Sequence, residues 1–262
     1  MSEGEVLTRR QGPVLWVTFN RPEQRNAMTF EMYDRLGEIC HEAAADEEVR
    51  CLVLEGAGEK TFVAGTDISL FRSFATAEDA LEYEGRMERN IGALAGLQIP
   101  VIAALRGACT GGGFAIAAAC DLRLGGPSAK FGIPIARTLG NTLSMASLNL
   151  LVDLLGVARA KELLFTARLV EAPEALSWGL LNELLPSDAE VAPRAQALAE
   201  QIAANAPLTL RSVKEGIRRI MEARHLPGTD AADLITMAYL SEDFKEGMSA
   251  FLEKRKPQWR GR

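Results

Sequence analysis

Short apolar runs alternate with stretches of helical spacing along most of the chain. Residues 14–19 form an apolar run and predict a strand. Asn20, Arg21 and Pro22 then turn the chain, because proline fixes its own φ and restricts the residue before it. Thr29 is placed to cap a helix that carries Met32, Leu36, Ile39 and Cys40 at helical spacing. Residues 51–54 read as a short strand and Gly56, Ala57 and Gly58 as a turn. Residues 62–67 read as a small-residue loop behind a strand, leading to a short helix at 68–74. Residues 77–97 predict a longer helix that buries Leu81, Met87, Ile91 and Leu94. Glu82, Glu84, Arg86, Glu88 and Arg89 are assigned to its solvated face.

The apolar run 100–105 predicts a buried strand. The triplet Gly111, Gly112, Gly113 follows, then a small, helix-permissive run at 114–119. Residues 121–124 and 129–131 read as strands around Gly125, Gly126 and Pro127. Helices are expected at 140–155, 158–166 and 172–178, and a last short strand at 179–182. From Asp188 onward the pattern is helical, interrupted at Pro207 and at Pro227 and Gly228. No fixed-period repeat is present. The alternation predicts an α/β core over residues 1–185 and a C-terminal helical region over 186–262.

Composition narrows the class. The chain has 262 residues, 48% of them hydrophobic, which suits one or two globular units with a sizeable core. A net charge of −6 supplies no basic field for nucleic acid. The N-terminus has no apolar secretory segment and no run of 18 apolar residues occurs, so a cytoplasmic protein is expected. Cys40, Cys51, Cys109 and Cys120 lack CxxC spacing and read as free thiols. The two histidines, His41 and His225, read as surface or boundary residues, so no histidine triad or metal cluster is expected.

The chemistry concentrates at the glycine triplet. A strand, a glycine turn and a helix start expose backbone N–H groups that have no partner within the helix, at the positive end of its dipole. Such a turn can hold an anion, a carbonyl oxygen or a developing oxyanion. The other reading is a tight, well-packed turn. Ile116 stands where the third glycine of GxGxxG belongs, and no Gly-Lys-Ser/Thr follows, so neither nucleotide fingerprint is present.

Two loops, 62–67 and 107–113, each follow an apolar strand and precede a helix. In this order they resemble those of the crotonase (enoyl-CoA hydratase/isomerase) superfamily. Arg21 and Pro22 with Asn26, Ala27 and Met28 also match, as do residues 99–103, Cys120 with Asp121, and Phe131 and Gly132 with Pro134. Ala172, Ala175, Gly179 and Leu180 match downstream, and so does the tail from Ser241 to Pro257, giving a resemblance over about residues 14–258. It implies a spiral of ββα units with a C-terminal helical region that mediates trimerisation, or a dimer of trimers. It also implies an acyl-CoA thioester as the bound molecule. By position, the backbone N–H groups of Thr66 and Gly112 would polarise the thioester carbonyl and stabilise an enolate. Arg25 and Ala27 would lie near the nucleotide, and Ala64, Asp67 and Ile68 along the pantetheine. Phe251 and Lys254, i and i+3 on a helix, would reach a neighbouring subunit's ligand; a solvated tail charge is the other reading of Lys254. No metal or redox cofactor and no membrane partner are expected.

The sequence departs from the family where its hydratases carry two glutamates. Those positions hold Ala115 and Ile135, neither of which can move a proton. Arg137, Thr138 and Asn141 follow and are candidates to line the same pocket. Arg137 would hold a substrate carboxylate or be a surface or interface arginine. Glu82, Glu84 and Glu88 are read as surface charges, with one turned inward as the exception that would supply a base. Cys109 and Cys120 are read as buried inert thiols, and Tyr239 first as helix packing, with reach into a pocket as the alternative. Three functions follow: an enolate-forming CoA-thioester enzyme of hydratase or isomerase type, including a diverged decarboxylase or C–C lyase; a non-catalytic acyl-CoA binder; and RNA binding. Only the basic tail 254–262 with Trp259 speaks for the last, and nucleic acid is not an expected partner.

Overall fold

The first two strands form a hairpin, β1 (Glu5–Gln11) and β2 (Val14–Asn20), closed at Gly12 in the left-handed region. β1 escapes the hydrophobic pattern because Val6 is its sole buried residue. The computed structural model describes residues 5–224 and 232–262, so His225, Pro227 and Gly228 lie outside the described residues. From β2 the sheet continues in parallel through β3 (Cys51–Gly56), β5 (Val101–Leu105), β7 (Leu122–Gly125) and β10 (Glu183–Leu184). A second sheet holds β4 (Thr61–Val63), β6 (Ala108–Thr110), β8 (Lys130–Gly132) and β9 (Val170–Glu171).

The helices are α1 (Phe30–Ala45), α2 (Ala77–Ala95), α3 (Gly112–Ala119), α4 (Ile135–Thr138), α5 (Met145–Thr166), α6 (Ala172–Ser177), α7 (Val191–Ala203), α8 (Pro207–Glu222), α9 (Ala232–Tyr239) and α10 (Glu242–Leu252). The runs β3–β4–α2, β5–β6–α3 and β7–β8–α4 each place one strand in each sheet and then a helix. This is the expected spiral of ββα units.

Strand periodicity divides the core. Val17, Phe19, Leu52, Leu54, Val101 and Ala103 pack toward α1, α2 and the second sheet. Val14, Trp16, Cys51, Val53, Ile102 and Ala104 face the other way, against Val191, Ala195 and Ala199 of α7. Trp16 Nε1 donates to Gln196 Oε1 of α7 at 2.6 Å, satisfying its one polar atom. A helix beyond residue 185 therefore closes one face of the first sheet.

Several elements differ from the sequence reading. The helix expected at 140–155 begins at Met145, because α4 ends at Thr138 and Leu139–Ser144 form a non-helical connection. The expected break before the next helix is present at Gly156, where φ is 73° and ψ 159°, and the second part runs to Thr166. The last strand lies at Glu183–Leu184, not 179–182, because Gly179 takes φ 76° and ends the turn after α6. Leu81 is exposed; α2 instead buries Ala80, Tyr83, Glu84, Met87, Ile91 and Leu94. Among the described residues no helix is long and apolar enough to cross a membrane.

Candidate active site

The glycine triplet splits into separate tasks. Gly111 adopts φ 55° and ψ −124°, and its N–H donates to Gly132 O at 3.0 Å. α3 starts at Gly112, with Phe114 N and Ala115 N both donating back to Gly111 O. A Cβ on Gly113 would overlap the Val63 carbonyl, so that glycine lets α3 sit on β4. A Cβ on Gly112 would overlap Tyr33 Oη and lie 3.3 Å from Thr66 Oγ1. The turn is tightly packed, and it also presents a helix N-terminus. Arg123, buried, closes the other end of α3 by donating to Ala117 O and Cys120 O at 3.2 and 2.6 Å.

The two predicted loops meet here. Gly65, at φ 110°, is so close that a Cβ on it would lie 3.9 Å from Gly112 N. Thr66 pairs with Met28 as an isolated bridge, through Met28 N to Gly65 O at 2.8 Å and Asp67 N to Met28 O at 2.9 Å. That pairing leaves the Thr66 N–H aside. Among the described residues neither the Thr66 N–H nor the Gly112 N–H donates to a protein acceptor.

Hydroxyl groups gather beside these amides. Thr66 Oγ1 lies 3.0 Å from Tyr33 Oη and 2.9 Å from Tyr83 Oη. Burial pushes both phenols above their usual range, against the opposing effect of the Thr66 hydrogen bond, so they act as neutral hydroxyls. Neither tyrosine was legible as a site residue. Their helical positions match core residues, and the partner Thr66 is remote in sequence.

The surrounding loop is held by Asn26, which is buried with φ 54°. Its Nδ2 donates to Ala57 O, Thr61 O and Phe62 O, and its Oδ1 accepts from Arg21 N. This fixes Arg25 and Ala27 beside Ala64, whose N–H donates to Arg25 O at 3.1 Å. Arg25 is exposed, and Ala27, Ala64 and Ile68 are half-buried. Asp67 accepts from Arg21 at 2.7 Å and from Ser69 N at 3.0 Å, so its carboxylate shapes the loop.

The lost glutamate positions stay apolar in space. Ala115 is buried on α3, and Ile135, half-buried, opens α4. Arg137 is exposed, and Thr138 turns its hydroxyl back to Pro134 O. Asn141 reaches inward: its Nδ2 donates to Tyr239 Oη at 3.1 Å, while its Oδ1 is buried without a partner. Phe251 is exposed and closes α10, but Lys254 lies past the helix end at φ 55°, so the two do not share a helical face. Cys109 and Cys120 are buried free thiols whose pKa burial raises, that of Cys120 to about 12. His41 is exposed.

Glu84 is the inward-turned exception among the α2 carboxylates, whereas Glu82 keeps to the solvated face. Glu84 is 6% exposed, and its Oε1 accepts from Tyr239 Oη at 2.5 Å. Burial pushes its pKa up to about 7, against the pull of the Tyr239 hydrogen bond. Counting helical spacing from Ala80 rather than Leu81 turns it inward.

A cavity of about 900 Å³ lies elsewhere. It opens at the C-terminal end of α3, between Met87, Ala119, Leu150, Val213 and Ile217. Among the described residues no cluster of acidic, histidine or cysteine side chains is arranged to hold a metal.

A family profile described as enoyl-CoA hydratase/isomerase matches residues 9–262. The short-chain-enoyl-CoA hydratase of Clostridium acetobutylicum is 36% identical over 266 residues, covering 98% of this chain and 97% of that protein. The crystal structure of carnitinyl-CoA hydratase from Mycobacterium avium is 34% identical, with all of both chains covered and a TM-score of 0.85. A methylmalonyl-CoA decarboxylase complexed with 2S-carboxypropyl CoA is 29% identical, again with both chains fully covered, at a TM-score of 0.89. The ββα spiral and the match over nearly the whole sequence together place this chain in the enoyl-CoA hydratase/isomerase family of the crotonase superfamily.

Proposed function

We propose that the protein is an enzyme that forms an enolate from an acyl-CoA thioester and holds the enolate oxygen on the backbone N–H groups of Thr66 and Gly112. The observation that supports this reading is the meeting of the two loops at Gly65 and Gly112, with no protein acceptor on the Thr66 or Gly112 N–H among the described residues. A thioester enolate is an anion, and fixed amide dipoles in a water-poor site lower its energy; removing one such donor costs roughly 3–4 kcal/mol. This chemistry needs no metal or redox cofactor. Arg25, Ala27, Ala64, Asp67 and Ile68 form the proposed CoA-binding loop. Phe251 and Lys254 are proposed to act toward a neighbouring subunit's ligand.

The relatives' names point to hydration or isomerisation. Ala115 and Ile135 supply no proton carrier, so in that reading the acid–base work falls to other groups. Decarboxylation is the second reading. Breaking a Cα–carboxylate bond sends its electron pair onto the thioester oxygen and releases carbon dioxide without any base. The two apolar positions and the likeness to methylmalonyl-CoA decarboxylase favour it. A non-catalytic binder is the reading that both exclude.

The test is incubation of crotonyl-, butyryl- and methylmalonyl-CoA with the protein in D2O, with products read by mass spectrometry. Water addition supports the hydratase branch and loss of carbon dioxide the decarboxylase branch. Deuterium at Cα supports the enolate itself. Saturable binding with no chemical change in any thioester would replace the enzyme with a binding protein.

A further inference from the structure

Three elements enclose one carboxyl group. α2 supplies Glu84, α9 supplies Tyr239, and the 139–144 connection supplies Asn141 and the Ser144 backbone. The titratable groups acting on Glu84 are Tyr239 from α9, Tyr33 from α1, and Tyr83 and Glu88 on its own helix, and none is a cation. A buried carboxylate kept for structure is ordinarily paired with a cation or fully hydrogen-bonded. This one changes charge near neutral pH, where a proton carrier works best.

Its surroundings tie it to the oxyanion loop. Tyr239 Oη donates to Glu84 and accepts from Asn141, six residues beyond Ile135. The ring of Tyr239 lies 6.3 Å from that of Tyr83, whose hydroxyl is 2.9 Å from Thr66 Oγ1. The unpartnered Asn141 Oδ1 leaves an acceptor in the same cluster that no protein group uses.

We infer that Tyr239 and Glu84 form the proton-transfer pair of this site, Tyr239 exchanging a proton with the thioester Cα and Glu84 holding it in turn. The inference rests on the thioester-enolate reading above. In the forward sense the Cα–H bond breaks and its electron pair moves onto the thioester oxygen. The proton passes to Tyr239 Oη as the Tyr239 proton passes to the Glu84 carboxylate. In reverse the enolate pair forms a new Cα–H bond with the Tyr239 proton, and the Glu84 proton replaces it. Charge and atoms balance in both directions. The reverse sense also completes a decarboxylation.

The test uses Cα deuterium exchange of butyryl-CoA in D2O on the full chain. Glu84→Gln keeps an oxygen to accept from Tyr239 but cannot take the proton. Its exchange rate should fall about 100-fold, with KM changed by no more than about threefold. The rise in wild-type rate through about pH 7 should vanish, and Glu84→Asp should restore part of the rate. Tyr239→Phe should fall as far, and the double variant no further, because the pair acts as a unit. If Glu84→Gln fails to fold, Tyr239→Phe decides. Either variant holding the wild-type rate and its inflection overturns the pair while leaving the enolate intact. Absence of exchange and of turnover in the wild type on every thioester it binds removes the enolate reading, and the pair with it.

Discussion

Tyr83 and Glu84 are neighbours on α2, yet one side chain meets the oxyanion loop and the other the C-terminal helices. For Glu84 the consequence extends to stability. Its carboxyl has an ordinary value of 4.5 and, in the fold, one of about 7. The folded chain therefore holds the proton more tightly than the unfolded chain. The stabilisation is complete below the unfolded value and is lost as pH rises through about 7. Denaturant unfolding should show wild type losing on the order of 3 kcal/mol relative to Glu84→Gln between pH 4.5 and 8; parallel curves for the two proteins would contradict this. At this scale the sequence is legible in the two loops, 62–67 and 107–113, which meet at Gly65 and Gly112. It is less legible where a charge is buried. Glu84 sits among Glu82, Arg86, Glu88 and Arg89, which bias the whole stretch toward solvent. Its partners Tyr239, 155 residues away, and the Ser144 backbone explain its burial.

The elements that shape the site are short, and their stability comes from pairing rather than length. β4, β6 and β8 have three residues each and exist because they pair with one another. The sequence pattern marks β8 but not β4, which reads as loop, or β6, which reads as part of the glycine turn. α1 was legible in full because Thr29 caps it, accepting from Met32 N at 3.3 Å, and its apolar spacing is regular. Asn26 ties the turn at residues 21–26 to residues 57–62. Asn26→Ala removes the donor to three carbonyls, two of them buried, and leaves alanine in a left-handed conformation. Chemical denaturation should register a loss on the order of 3 kcal/mol. A loss below about 1 kcal/mol would mean these segments are held by other contacts.

At the scale of the whole molecule, α8 presents an apolar face that the described residues leave exposed. It has no buried residue, and Val213, Ile217 and Ile220 share one face, each more than half exposed. We propose that this face is covered by self-association as a trimer or a dimer of trimers. Light scattering should give three or six times the 28.4 kDa chain mass, and Ile217→Glu should shift it toward the monomer. A monomeric wild type at micromolar concentration would contradict the proposal. The α/β core and helical tail were legible from alternation alone, whereas the placement of α7 over the first sheet was not, because its apolar face looks like that of any amphipathic helix. The central claim concerns the amides of Thr66 and Gly112, and Cα deuterium exchange of butyryl-CoA by wild type and Gly112→Ala tests it most directly. The added Cβ overlaps Tyr33 Oη, so the turn and the ring must move apart; a folded Gly112→Ala in which the amide shifts should exchange about 100-fold more slowly than wild type. Equal rates in the two folded proteins would contradict the account.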